Sequence, residues 1–561
     1  KTGDGTLVLT GDSASPGSGD PEHGPTRIQV GTLQLGDGGA AGTLNTSENL
    51  SISAGATFAV KQSDTVTQGT DFTAAAISGD GGFTQAGSGK TVLNVANTYA
   101  GNTTISAGTL ALSGAGTLGS GSYAGDISNS GTFKYNSPED QELSGTISGS
   151  GTLNMVHNTS TLTLSGTGNT IGALNAAGGN LVLSGSSDTT VSDRIYVANS
   201  GVEDGGSGTL TVQDSAVLSV EDLFLVGNET GKNGTVNQTG GAVNLTGAGA
   251  NDIRIGHWPS LTATYTLSSG TLNALNTRFI LGWDGTGILN VDGGTANLKG
   301  LACGVGNNGA RAGTVTLGGG TLNIGSDGMY QEINGTINLN SGTLGALAGW
   351  SSTMAMTLGG SVDIDTTGGD IALSGALTGT GGFAKEGSGT LTLSNAGNTY
   401  NGATTVDAGT LTLNSTESWN GGTIPSSAIT VNSGGTLEVA NASNLHDDQA
   451  ITVNGGTLNI SIGSADHGEN YVNDLTLNSG ALLSGNAPRV GYLVDPTWTV
   501  GGTSASTISA QLQLVNDVDV SGVRQFTLDV GDATSDANVD LTITGAIADY
   551  ATHRGEDLVK A

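Results

Sequence analysis

The residues of this chain that can do chemistry are few, and their spacing decides between the readings open to each. AGSGKT (86–91) carries the closing half of a phosphate-binding loop. That loop needs G-x-x-x-x-G-K-[ST] followed directly by a helix whose N-terminus faces the phosphate. Thr84 stands where the first glycine belongs, and the strand pattern TVLNV follows, so a corner between strands accounts for the motif better. GDSAS (11–15) puts Asp12 and Ser13 in one loop with His23. A Ser–His–Asp triad also requires fixed geometry and an oxyanion hole, which nothing near this loop supplies. DVDVSG (517–522) opens like a calcium loop, but Ser521 and Leu528 stand where further ligands belong, and the alternation reads as a strand.

Other candidates are ligands and contact surfaces. His446 with Asp447 and Asp448, and Asp466 with His467 and Glu469, lie in polar loops that can hold a divalent ion or simply be solvated. Trp258 and Trp283 are expected to be neighbours one turn apart on the outside, where exposed indoles can stack on sugars. His257 occupies the same corner as Asn199, Asn228, Trp283 and Asn307, and reads as a corner residue rather than a ligand. Cys303, aligned with Ile195, Phe224, Ile253 and Phe279, reads as core. No residue is assigned to catalysis or to a cofactor.

Composition narrows the functions further. The chain has 48 acidic and 16 basic residues, a formal charge of −32. Such a field opposes nucleic acid and anionic lipid, whose recognition needs clustered Lys and Arg. The basic residues read as too sparse and scattered to bind a polyanion. Loose bridging of the acidic surface by Ca2+ is compatible with it. A single cysteine excludes an intrachain disulfide framework. No apolar run approaches the ~18 residues of a membrane helix, so no membrane insertion by this segment is expected. Glycine supplies 97 of 561 residues, with only 8 prolines and no every-third-residue glycine period, which excludes collagen.

What must position any site is a repeat. From 179 to 345, phrases open at GNLVLSG (179), GTLTVQD (208), GTVNQTG (234), ATYTLSS (263), GILNVDG (287), GTVTLGG (313) and GTINLNS (335). Within them, four- or five-residue strands alternate in polarity and are punctuated by Gly, Asn, Asp or Ser, which suit the corners. No segment keeps a 3.6-residue apolar period. Three short strands per ~25 residues predict a parallel β-helix, a β-solenoid in which each turn pairs with its neighbours. The whole chain then makes about 22 turns, stacked over roughly 105 Å. We divide this solenoid at 1–178, 179–350 and 351–561, as stretches of one coil rather than separate globular domains.

One phrase is said more than once. FTQAGSGKTVLNVANTY (83–99) parallels FAKEGSGTLTLSNAGNTY (383–400), and NTYAGNTTISAGTLALSG (97–114) parallels NTYNGATTVDAGTLTLNS (398–415). A looser copy opens the chain as KTGDGTLVL, resumed at TRIQVGTLQLG (26–36). These stretches resemble the passenger-associated transport repeat of bacterial autotransporter proteins. The resemblance implies a right-handed parallel β-helix, secreted and displayed at the bacterial surface.

Enzymatic β-helices that cleave acidic polysaccharides set carboxylates on adjacent turns with a Lys or Arg nearby. The aligned column Asp222, Asn251, Thr277 and Leu301 makes no such wall. The expectation is therefore a non-catalytic extracellular stalk or fibre. The final LVKA and the initial KTGDGTL share one phase of the repeat, which suggests end-to-end self-association or a tandem array. The alternative is an adhesin passenger that binds a glycan or a host surface through Trp258 and Trp283 or the loops at 11–25 and 415–426.

Overall fold

A computed structural model of the chain describes residues 1–11, 25–40, 42–44, 49–199, 206–229, 232–247, 253–307, 309–416, 423–425, 428–441, 444–446, 449–461, 470–485, 489–490, 496–514, 525–531, 539–549 and 557–560. The fold is a parallel β-solenoid with no α-helix among these residues; a single 3-10 turn lies at Gly119–Gly121. Two compact units partition it: Lys1–Asn290 with Gly294–Ala296 and Cys303–Gly313, and Val291–Gly293 with Asn297–Ala302 and Thr314–Ala561. The coil makes about 18 turns, somewhat fewer than the 22 expected. That expectation took an even ~25 residues per turn, whereas the observed steps are unequal, 19 residues from Lys90 to Thr109 and 29 from Thr235 to Thr264.

Alternation in the sequence becomes alternation in burial. In the first unit six strands stack in parallel register: β1 (Lys90–Leu93), β2 (Thr109–Ser113), β3 (Thr132–Asn136), β4 (Thr152–Met155), β5 (Asn169–Ala176) and β6 (Asp188–Val197). Leu110 pairs with Thr91 and Phe133, and Leu153 with Leu174, all buried. The ladder continues through β7 (Leu223–Val226), β8 (Ile253–Ile255) and β9 (Phe279–Leu281). The second unit repeats the pattern: Leu391, Leu411, Leu437 and Leu458 form one buried column. Burying one aliphatic side chain contributes roughly 1.5–3 kcal/mol, so the inward columns are what hold the coil shut.

Between 179 and 345 several strands are longer than the four or five residues expected, while others, such as Leu223–Val226, keep to that length. Asp188–Val197, Thr235–Leu245 and Thr262–Ala274 each run through a corner. In the latter two the corner bends at a glycine in the left-handed region, Gly241 at φ 60° and Gly270 at φ 86°, while the register shifts locally between Gln238 and Ala242. Glycine therefore turns the chain without interrupting the strand.

The repeated phrase is a set of inward fittings, the same in both units. Phe83 stacks near Tyr99 with centroids 6.1 Å apart, and Phe383 near Tyr400 at 5.7 Å. The buried tyrosine hydroxyls meet Thr103 at 2.9 Å and Thr404 at 2.7 Å. Asn97 Oδ1 accepts the backbone N–H of Ile77 at 2.8 Å, and Asn398 Oδ1 that of Leu377 at 2.7 Å. Each thus satisfies a donor in the preceding turn that would otherwise be buried unpaired. Gln85 Nε2 donates to the carbonyls of Gly87 at 2.8 Å and Gly89 at 3.2 Å. At the matching position Lys385 Nζ donates to Glu386 and Gly387 at 2.9 Å and to Ala408 at 2.8 Å. AGTL in both copies places Gly108 and Gly409 at φ 62°, where a Cβ would stand 2.2 Å from the carbonyl of Gly89 and 2.5 Å from that of Gly387.

Candidate functional site

Two outward features of the first unit and one of the second have the geometry of a site. Arg254 lies within β8, His257 and Trp258 stand at the corner after it, and one turn on, after β9, stands Trp283. The Arg254 guanidinium lies over the Trp283 ring, 3.7 Å from its centroid. The His257 ring is 6.2 Å from that of Trp258 and 6.4 Å from that of Trp283. Burial, and then the charge of Arg254, push the His257 imidazole down to about 4, so it is neutral at physiological pH. His257 Nδ1 is buried without a hydrogen-bond partner. The structure therefore brings Trp258 and Trp283 to one corner, around His257. The two indoles do not form an open pair: Arg254 covers Trp283, and Trp258, 44% exposed, offers the accessible ring.

The second feature is a groove of about 590 Å³ on the outer face of β1 to β6. Its floor follows from register. One outward column runs Lys90, Thr109, Thr132, Thr152, Ala173, Arg194. The next, two residues along each strand, runs Lys134, Asn154, Asn175, Tyr196. Lys90, Lys134 and Arg194 thus line one groove, which corrects the expectation that the basic residues are scattered. Arg194 Nε donates to Asp193 at 2.8 Å, and its guanidinium lies 5.8 Å from the Tyr196 ring centroid. Asn175 donates to Asn154 Oδ1 at 2.6 Å, while its own Oδ1 is buried without a hydrogen-bond partner. Asn175 is 7% exposed.

The third feature was missed from sequence. In the second unit Asp365 pairs with Glu386 across the ladder, and Asp407 follows Val406, the partner of Lys385. Three carboxylates therefore stand on three adjacent turns. Burial raises the Glu386 carboxyl, and Asp363, Asp407 and Asp365 raise it further. Beyond Asp407 the column becomes an amide ladder. Asn432 donates to Asp407 at 2.6 Å, Asn454 to Asn432 at 3.2 Å and Asn478 to Asn454 at 3.1 Å. Lys385 adds no catalytic cation, because its ammonium faces the carbonyls inside the coil. The signal was present as DID, KEG and VDAG at repeat spacing, but it appears only once register is known.

The remaining sequence candidates sort plainly. Lys90 begins a strand rather than a helix. Cys303 is fully buried, and burial pushes its thiol up to about 12. Its column is corrected: Gly304 N–H donates to Leu281, which places Cys303 after Val197, Val226, Ile255 and Leu281, two residues from the alignment expected. Because two residues preserve strand parity, the inward assignment holds. Asp12, Ser13, His23, Asn251, Asp447, Asp448, Asp466, His467, Glu469 and Ser521 lie outside the described residues, as does most of the loops at 11–25 and 415–426. Among the described residues no group of three or more His, Cys, Asp or Glu is placed to hold a metal. No helix among them is long and apolar enough to cross a membrane.

Comparison with known proteins adds to this geometry. The Passenger-associated-transport-repeat family profile matches residues 1–35, 83–112 and 383–413, the three stretches singled out in the sequence. Over 215 residues the chain is 30% identical to Adhesin BmaC autotransporter of Brucella suis biovar 1 (strain 1330). That match takes in 37% of this chain and 6% of the adhesin. No solved structure matches the chain.

Proposed function

We propose a function from one premise: the chain is an autotransporter-type passenger bearing three passenger-associated transport repeats, displayed outside the cell or at its surface. On our reading it is a non-catalytic β-solenoid that serves as a stalk and adheres through its outer faces. The observation that carries the stalk role is what the repeat conserves between its copies. Phe, Tyr, Asn, Gly and the Gln85/Lys385 position are all turned to the coil's own backbone or core. None of them is an outward reactive group.

Adhesion is favoured by two further observations, the name of the Brucella relative and the accessible indole of Trp258 beside a covered Trp283. Exposed aromatic rings rimmed by polar groups are the usual anchors of recognition surfaces. The test is display of the chain on a non-adherent bacterium, with attachment to host-cell monolayers and immobilised glycans counted. Attachment lowered several-fold by Trp258→Ala, at unchanged display, is expected. Displayed cells that adhere to nothing would remove adhesion and leave the stalk.

Self-association belongs to the same proposal, with calcium bridging the acidic surface. Its support is the net charge of −32 and the carboxylates of Asp365, Glu386 and Asp407 on adjacent turns. Electron microscopy of natively secreted material with and without millimolar calcium tests it. Single particles under both conditions would end this part of the reading.

A further inference from the structure

We infer that the groove on β1 to β6 binds a linear oligosaccharide carrying carboxylates. The inference rests on the adhesive reading and deepens it by naming a ligand class and the face that takes it.

Charge is the first ground. In a chain with three times as many acidic as basic residues, three cations and a single carboxylate line one groove; that carboxylate, Asp193, is paired with Arg194, so the groove keeps a net positive charge. At physiological ionic strength charges are screened beyond ~8 Å. A ligand in the groove therefore responds to Lys90, Lys134 and Arg194 more than to the acidic surface elsewhere.

Spacing is the second. Adjacent strands repeat every ~4.8 Å, so the five steps from Lys90 to Arg194 span about 24 Å. One step is comparable to one pyranose unit of an extended glycan. Lys134 lies two steps from the Lys90 strand and three from the Arg194 strand. An acid group on every second sugar meets the two-step interval from Lys90 to Lys134, while Arg194 stands one step past the next such position. The hydroxyls of Thr109, Thr132 and Thr152 between them offer a row of donors and acceptors at the same step.

The third ground is an acceptor without a donor. Asn175 Oδ1 is buried in the groove wall with its own amide committed to Asn154. Buried polar atoms are nearly always paired. A sugar hydroxyl is a donor of the kind this oxygen lacks.

The test uses the full chain and an octasaccharide of alternating glucuronate and N-acetylglucosamine, titrated by calorimetry. Neutral chito-octaose and an octaglutamate peptide serve as controls. Saturable binding of the acidic octasaccharide is expected, at least tenfold tighter than either control. K90Q/R194Q should weaken it at least tenfold with the melting temperature unchanged, and K134Q should weaken it further. Since Lys134 is buried and its replacement can disturb folding, the K90Q/R194Q pair decides. No saturation at millimolar ligand, equal affinity for chito-octaose or octaglutamate, or indifference to K90Q/R194Q would each overturn the inference. Should glycan binding fail while displayed cells still adhere, the groove assignment falls and the adhesive function stands.

Discussion

Lys385 donates from inside the coil to the carbonyl of Ala408, one turn on, at 2.8 Å. Its two other bonds close the loop after its own strand, the task that Gln85 performs in the other unit. Lys385→Gln should therefore be tolerated, within about 1 kcal/mol, whereas Lys385→Leu, which takes a donor from three part-buried carbonyls and leaves that of Glu386 to Thr366 alone, should cost roughly 1–3 kcal/mol. Chemical denaturation of the two variants separates these outcomes.

The same lysine makes a pH prediction. Burial lowers its ammonium to about 8 from 10.5, so between those values the unfolded chain holds a proton that the folded chain has released. Stability from this group rises with pH through that window, and its penalty is fully present below pH 8. Wild type should gain on Lys385→Gln when denaturation at pH 7 is repeated at pH 10.

His257 works in the opposite pH range. Its folded value near 4 lies below the ordinary 6.5, so the unfolded state binds the extra proton between pH 6.5 and 4. Stability contributed by neutral His257 is complete above pH 6.5 and is lost as pH falls toward 4. His257→Asn, the residue at the neighbouring corners Asn199 and Asn228, should flatten that acid-side decline in thermal melts. An unchanged slope would show that other groups govern it.

Gly108 is held at φ 62°, and a Cβ there would stand 2.2 Å from the carbonyl of Gly89 in the preceding turn. Left-handed backbone and a backbone clash act together, so Gly108→Ala should destabilise by at least ~1–3 kcal/mol. Gly185, also at positive φ but with open space around its Cβ position, isolates the conformational part. Gly185→Ala should cost less in the same assay.

Tyrosine ionisation reads the core directly. Burial raises Tyr123 and Tyr135 to about 12, and raises Tyr99, Tyr265 and Tyr400 well above the ordinary value. Of ten tyrosines, these five should stay protonated at pH 11 in the folded protein and ionise together on unfolding. Absorbance near 295 nm across the titration checks the count.

The fold was legible because its signal is periodic. Leu, Val and Ile at every second position, with glycine at each corner, admit a coil and little else, and the repeat copies could be aligned by eye through NTY and GTL. Sites were less legible, because a solenoid places residues together by register, and register depends on turn length. Lys90 to Thr109 is a step of 19 residues and Thr109 to Thr132 one of 23. Unequal steps hid the meeting of Lys90, Lys134 and Arg194, and the column of Asp365, Glu386 and Asp407. They also moved Cys303 by two residues, an error that left its burial right because strand parity repeats at two. Trp258 and Trp283 stand at neighbouring corners, but nothing in the residue pattern signals that Arg254 covers one of them.

Gln85 and Lys385 fill one position with different chemistry, and each donates to carbonyls of its own turn at a glycine corner, with the Thr91 hydroxyl donating to Gln85. A turn built on such terms depends on the turns beside it and on little beyond them. A gene encoding it can gain or lose whole units by recombination between copies of the phrase, and the protein still closes. Length then becomes an inherited variable, adjustable in single turns without redesign of the core, while the outer faces drift independently toward new ligands.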